Sequence, residues 1–348
     1  MPLNIESIET VEALAAIEPE WRELWRRDPA ATPFQSPEWL LPWTRSLWGG
    51  GKLRVLAVRH GGDLVALAPF FLWGYGERPE VIRVSFLGAG ITDYLGILAA
   101  PEFAPEAARQ VFEGLLAMPD QWHICGLEEL RPNSPLLLAD LPPGLVARSG
   151  PSSVCPVLAL PPSMEELYAQ LQPKFRSNLR YAEARLRREG ADFTMAGPDE
   201  ADDVLSALFH LHTARWRERR LPGMLATAAL QEFHREAAGR LIAQGLARLF
   251  ALRLNGQIIA AQYDLRDGPR RTGGHRVYFY LSGFDPAYAR YSPGAALLAW
   301  SIRSAIEEGA AQYDFLRKRE DYKYQWGARD RVNRKLLISR SAFARDVA

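Results

Sequence analysis

Ser292, Pro293 and Gly294 stand where a loop gives way to a helical pattern, and Asp314 follows it, set between Tyr313 and Phe315. A helix beginning at such a loop offers unpaired backbone N–H groups and the positive end of its dipole to an anion, so a diphosphate can be held without a lysine. The small residues Gly294, Ala295 and Ala296 suit a backbone that must approach phosphate closely. Asp314 alternates with two aromatic residues in a short strand, so its carboxylate points away from their rings. There it can orient or deprotonate an acceptor amine or hydroxyl, or pair with Arg317 or Lys323 for structure. The tail Arg317, Glu320, Tyr322, Lys323 and Trp326 mixes charge with rings, a combination suited to an acceptor bearing phosphate or carboxylate beside a sugar or base. Its bland counterpart is a solvated loop anchored by the tryptophan.

The elements that position these residues occur twice. Residues 54–69 (RVLAVRHGGDLVALAP) align without gaps to 248–263 (RLFALRLNGQIIAAQY), with identity at Arg54/Arg248, Ala57/Ala251, Arg59/Arg253, Gly62/Gly256 and Ala66/Ala260. Each reads as a hairpin turning at Gly61-Gly62 or Asn255-Gly256. Each is followed by a strand ending in glycine, a helix and a short strand: IRVSFLGAG, PEAARQVFEGLLAM and WHICGL in one half, VYFYLSG, AALLAWSIRSAIEEG and QYDFL in the other. Leu298, Ile302 and Ile306 recur every four residues, and Gly309 stops that helix. Each half also opens with helical sequence. The repeated order predicts tandem copies of one α/β unit with a mixed sheet, divided near the Pro/Gly/Ser-rich stretch 141–163, as 1–150 and 151–348. A strand VCPVLAL shared between the halves is compatible with that division.

Composition narrows the choices. The 348 residues are 48% hydrophobic and 24% charged, with a formal net charge of +1. That charge gives no global attraction to nucleic acid or membrane, so an anion site must be local. The N-terminus lacks a signal-peptide pattern, LVALAPFFLW is too short to span a bilayer, and Cys125 and Cys155 fit no metal or disulfide spacing. A cytoplasmic setting is the simplest expectation. No Gly-x-Ser-x-Gly elbow occurs, so direct attack by the acceptor is preferred over a covalent intermediate. His210 and His212 are two apart and imply no metal, and His275 reads as an exposed loop residue, with proton transfer as its alternative. Trp21, Trp25, Trp39, Trp43, Trp48 and Trp73 read as core anchors rather than a sugar platform. The run Lys174–Arg188, with six Lys/Arg and one Glu, reads as a solvated helix face, with contact to an anionic acceptor as its alternative.

Four segments carry a family resemblance: KFRSNLRYAEARLRREG (174–190), LNGQIIAAQYDL, YLSGFDPAYARYSPGAALL and YDFLRKREDYKYQWG, with FQSPEWLLPW and FLGAGITDYLGIL in the first half. The chain resembles the GNAT-type acetyltransferases of the CelD-like group, named for an association with cellulose biosynthesis, and through them the tandem-GNAT peptidyltransferases of Fem type. The resemblance implies a fold in which a central strand splays from its neighbour and receives pantetheine in the gap. It implies acetyl-CoA or another acyl-CoA as co-substrate, no metal, and a cofactor site at Tyr280, Ser282, Tyr291, Ser292, Pro293, Gly294, Ala295 and Ala296. Tyr291 stands where the superfamily loop has Gln or Arg, and Arg290 sits one residue early.

On this reading Asp314 and Lys323 are the catalytic candidates. Asp93, Tyr94, Arg317, Glu320, Tyr322 and Trp326 are the acceptor-binding candidates, Asp93 and Tyr94 by resemblance. The expected activity is acyl transfer to an amine or hydroxyl of a small or saccharide acceptor, with the link to polysaccharide or cell-envelope synthesis implied by the resemblance. Residues 1–150 are expected to be a degenerate copy, since their Gly88–Asp93 turn opens no helix. Two alternatives stand beside this: a Fem-like transferase using aminoacyl-tRNA, the only reading with a nucleic-acid partner, and a catalytically inactive GNAT-fold binding subunit.

Overall fold

A computed structural model describes residues 2–75, 78–218, 225, 227–268 and 274–341. The chain forms two compact units, Met1–Ser153 with Val332–Ala348, and Val154–Arg331.

In the first unit the elements run β1 (Leu3–Ile8), α1 (Val11–Ala16), α2 (Glu18–Arg27), α3 (Pro37–Ser46), β2 (Lys52–His60), β3 (Asp63–Tyr75), β4 (Arg78–Phe86), β5 (Leu98–Ala99), α4 (Ala104–Ala117), β6 (Ile124–Leu130) and α5 (Pro135–Leu138). Strand β7 (Leu145–Ala159) begins in this unit and ends in the second. The second unit continues with α6 (Met164–Gln170), α7 (Pro173–Arg188), β8 (Asp192–Met195), α8 (Ala201–Glu218), α9 (Ala228–Ala243), β9 (Ala247–Leu254), β10 (Gln257–Arg266), β11 (Arg276–Phe284), α10 (Pro293–Glu307), β12 (Gln312–Asp314) and α11 (Asp321–Gln325). Strand β13 (Arg329–Arg340) starts there and finishes in the first unit.

Both hairpins turn where the sequence places them. Asn255 takes a φ of 51° and Gly256 77°, while Gly61 and Gly62 take 59° and 100°, the left-handed pair that such a tight turn requires. Sheet order in the first unit is β1-β2-β3-β4-β6-β13-β7, and in the second β7-β12-β11-β10-β9-β8. In each unit a parallel pair follows the crossover helix: β4 with β6, and β11 with β12. The fold is thus a tandem of mixed-sheet α/β units.

The units divide between Ser153 and Val154, inside the Pro/Gly/Ser-rich stretch, where residues 145–159 form one strand despite Pro151 and Pro156. Sheet pairing on the two sides overrides local turn propensity there. From Val332 onward the C-terminal strand groups with the first unit, whereas the sequence division left it in the second.

In the first unit Trp21, Trp25, Trp39 and Trp43 are all buried, as core anchors should be. Leu298, Ile302 and Ile306 share a core with Leu179, Tyr313 and Trp326, which fixes α10 against α7 and β12.

Candidate functional site

Everything that forms this site lies in the second unit. β11 and β12 pair in parallel over three residues only, Arg276↔Gln312, Val277↔Tyr313 and Tyr278↔Asp314. Beyond that point the two chains part. β11 stays with β10 as far as Phe284, while the chain after β12 follows β7: Phe315 N–H donates to Pro156 O at 2.9 Å and Lys318 N–H to Val154 O at 3.1 Å. One edge of β11 from Phe279 onward therefore loses β12 as its ladder partner. Phe279, Phe315 and Tyr322 gather at the divergence, with ring centroids 6.1 to 6.4 Å apart. Tyr280 and Ser282, on the freed part of β11, are half-buried.

At the end of β11 a short turn (Pro286–Tyr291) delivers the chain to α10. Asp285 caps this turn by accepting from Ala287 N–H at 2.9 Å, and its own N–H donates to Ile259 O. Ser292 then takes the left-handed conformation, φ 52°, and its hydroxyl does not cap the helix. A non-glycine residue in that region carries local strain of order ~1 kcal/mol. Pro293 has no N–H to lose, and the first-turn amides of Gly294 and Ala295 have no partner inside the helix. Ser292 is exposed and Gly294 and Ala295 are half-exposed, so the helix mouth is open. A Cβ at Gly294 would lie 3.1 Å from the Phe284 ring, the close approach that selects glycine there.

Two cations stand at the loop, Arg290 of the loop itself and Arg185 from α7. Tyr291 is buried, and its ring is held between two guanidiniums: Arg185 of α7 at 4.3 Å and Arg290 at 4.9 Å from the ring centroid. Arg290 also donates to the Tyr291 hydroxyl at 3.1 Å. Tyr291 thus fixes cations beside the mouth instead of lining it. Arg185 is visible in the sequence only as one member of a basic helix.

Asp314 is fully buried. Its Oδ1 accepts from Leu316 N–H at 2.9 Å and its Oδ2 from Arg331 Nη1 at 3.4 Å. Lys323, 2% exposed, donates to the carbonyls of Arg317 at 2.7 Å, Lys318 at 3.0 Å and Leu316 at 3.4 Å, and pairs with Glu320 at 3.3 Å. Leu316 and Lys318 both have positive φ, 56° and 82°. The buried ammonium gathers the carbonyls that this loop turns inward, contacts that hold the loop instead of leaving Lys323 open to an acceptor. Trp326 is likewise corrected: it is 2% exposed and meets Phe175 edge-on at 5.3 Å, as a packing residue. Arg317, Glu320 and Tyr322 are partly exposed around the same loop.

Opposite Asp314 in the strand alternation lies a network that the sequence reading passed over. Asp264, 1% exposed, accepts from Gln262 Nε2 at 2.9 Å, from the Tyr313 hydroxyl at 3.0 Å and from Ser301 Oγ at 2.5 Å. Burial pushes its pKa up to about 7, against the pull of those donors and of Arg248. A cavity of about 10 Å3, room for one water, is lined by Arg248, Asp264, Arg266 and Ser301 among others. The signal was available as two polar residues, Gln262 and Asp264, in an otherwise apolar strand. His275 is also corrected: it is half-buried, 3.8 Å from Glu308, and its pKa is lowered by burial and then by Arg266 and Arg248.

The first unit has a parallel pair of its own, Arg83↔Ile124 and Val84↔Cys125, followed along β6 by Gly126. A Cβ there would meet the Arg83 guanidinium at 2.3 Å. After β4 no helix begins until residue 104; Trp39 Nε1 instead donates to Thr92 Oγ1 at 2.9 Å inside the loop. Asp93 and Tyr94 are buried in this unit, where Asp93 O accepts from Asn333 and Arg131 lies 4.6 Å over the Tyr94 ring.

Residues 173–324 match the profile of the acetyltransferase (GNAT) domain family. The matched segment lies within the second unit. The crystal structure of FemX aligns over 96% of this chain and 96% of its own with a TM-score of 0.66 at 12% identity. The C-terminal domain (DUF2156) of a putative lysylphosphatidylglycerol synthetase from Agrobacterium fabrum aligns over 96% and 94%, with a TM-score of 0.57 at 12% identity. L-PGS from Bacillus licheniformis aligns over 86% of both chains, with a TM-score of 0.51 at 14% identity. At such identities the likeness is one of fold. No curated protein sequence matches the chain. Among the described residues no helix is long and apolar enough to cross a membrane, and no cluster of metal-ligating side chains occurs.

Proposed function

We propose that the chain transfers an acyl group from acyl-CoA to the amine of a small or saccharide acceptor, with the donor held in the second unit. The observation that carries this reading is the parting of β11 and β12 beside the open mouth of α10. The side of β11 from which β12 turns away beyond Tyr278 is where an extended pantetheine arm would lie alongside the strand. The α10 amides, the helix dipole and the Arg185–Arg290 pair stand ready for the diphosphate. In the reaction the acceptor nitrogen bonds to the thioester carbon, the C–S bond breaks, CoA leaves as the thiol and the nitrogen gives up its proton. A backbone N–H on the freed edge of β11 supplies the oxyanion donor.

Asp314 is assigned a positioning role, because both its oxygens are already engaged and it is buried. It ties the half-exposed Arg331 to the loop carrying Arg317. The first unit, with Gly126 under Arg83 and a long loop rather than a helix directly after β4, is assigned as a copy that has lost donor binding. A saccharide acceptor, and with it a place in envelope or polysaccharide synthesis, rests on the sequence resemblance to CelD-like proteins.

The test is thermal protection by CoA, since a ligand that binds only the folded state raises the melting temperature. Protection should appear with CoA and acetyl-CoA and be lost in Gly294→Val, whose side chain has to displace the Phe284 ring from the mouth. Protection that survives the substitution unchanged removes the α10 mouth from the donor site. A wild-type protein indifferent to every CoA derivative removes the reading itself.

A further inference from the structure

The basic helix α7 was expected to be a solvated face, and one flank of it does not fit that description. Leu179 packs with Leu298 and Ile302, and Leu186 packs with Tyr291, Ala296 and Leu297. The helix therefore runs antiparallel to α10, with its last turns beside the α10 mouth. On its other flank Arg180 lies over Tyr168 at 5.2 Å and Arg187 over Phe193 at 5.8 Å, each on a ring other than Tyr291 of the α10 mouth. The acid there, Glu183, is met by Arg303 at 3.3 Å.

Lys174, Asn178, Tyr181, Arg185 and Arg188 fall at alternating spacings of four and three, one continuous stripe along the helix. That stripe holds three cations and no carboxylate. Lys174, Asn178 and Arg188 are exposed, and Tyr181 is 60% exposed, one of the few large rings left open to water. Arg185 joins the stripe to the mouth, since its guanidinium covers Tyr291 and donates to Arg290 O at 3.3 Å. Tyr181 lies one helical turn from Arg185, about 5–6 Å along the axis. An open aromatic face among cations, one turn from a diphosphate site, has the chemistry of a purine nucleotide: a ring to stack and phosphates to neutralise.

We propose that this stripe is the nucleotide platform of the donor site, with Tyr181 stacking on the purine base and Arg185 and Arg188 meeting the phosphates. The inference deepens the acyl-CoA reading and rests on it. Charge complementarity and continuity with the α10 mouth favour a small nucleotide over a larger polyanion, because the stripe is only four turns long and the chain's net charge is close to zero.

The experiment titrates the full chain, as wild type, Tyr181→Ala and Tyr181→Phe, with three probes by calorimetry: CoA, adenosine 3′,5′-bisphosphate and pantetheine. Tyr181→Ala should weaken CoA and the bisphosphate about tenfold, within the range of one base–aromatic stack. Pantetheine, which has no base, should bind all three proteins alike, and Tyr181→Phe should retain wild-type affinity for CoA. Because the residue is exposed, the melting temperature without ligand should stay put in both variants. Equal CoA affinity in wild type and Tyr181→Ala overturns the platform while leaving the donor reading intact. Absence of CoA binding in the wild type overturns both. Steeply salt-dependent tRNA binding that Tyr181→Ala weakens, in a chain that ignores CoA, reassigns the stripe to tRNA and also overturns the proposal.

Discussion

Replacing Asp264 by Asn tests whether a buried carboxyl is protonated in the folded protein near neutrality. Its pKa is pushed up to about 7 from an ordinary 3.8, first by burial. The folded state therefore holds a proton that the unfolded state has released between these two values. Since stability changes with pH as the difference in bound protons, the contribution of Asp264 is fully present below about pH 4 and is lost as pH rises through 7. A difference of about 3 pH units at ~1.4 kcal/mol each makes the full swing about 4 kcal/mol. Asparagine does not titrate, so Asp264→Asn should lack that slope. Urea denaturation of both proteins from pH 4 to 8 gives the measurement. The variant's stability relative to wild type should climb by about 4 kcal/mol across pH 4–7 and then level off. Arg248, with a pKa lowered to about 10 by burial and Arg266, stays charged throughout and does not blur the window. Two stability curves running parallel through that window refute the argument, and Asp264 is then an ordinary carboxylate held by its three donors.

Lys323→Met leaves three carbonyls and Glu320 without their cation, and should cost about 3 kcal/mol of unfolding free energy by the same urea assay; a loss under ~1 kcal/mol refutes the loop-holding role. Asp314→Asn keeps the acceptor for Leu316 N–H but weakens the tie to Arg331. Turnover, followed by thiol release with a panel of amines, should fall with CoA protection unchanged; normal turnover removes Asp314 from the site. Cys125 is fully buried and burial raises its thiol pKa, so it should resist iodoacetamide until the chain unfolds, as peptide mass spectrometry would show.

Local signals in the sequence were enough to place several elements. The Gly61-Gly62 and Asn255-Gly256 turns, the four-residue spacing of Leu298, Ile302 and Ile306, and the small residues after Ser292 are local signals, each acting within a turn or two of chain. They placed the hairpins, α10 and its mouth correctly. What the sequence could not settle was which side chains use up one another's bonding capacity. Lys323 and Trp326 look available in a charged, aromatic tail, yet burial turns one into a carbonyl clamp and the other into packing. Arg185 is more than a hundred residues from Tyr291, and the packing of α7 on α10 brings it beside Arg290 at the mouth. Asp264, Ser301 and Tyr313 come from three elements, so their hydrogen-bond network forms only once the second unit has closed around them. Local backbone preference is written residue by residue; desolvation and charge pairing depend on distances that the fold alone creates.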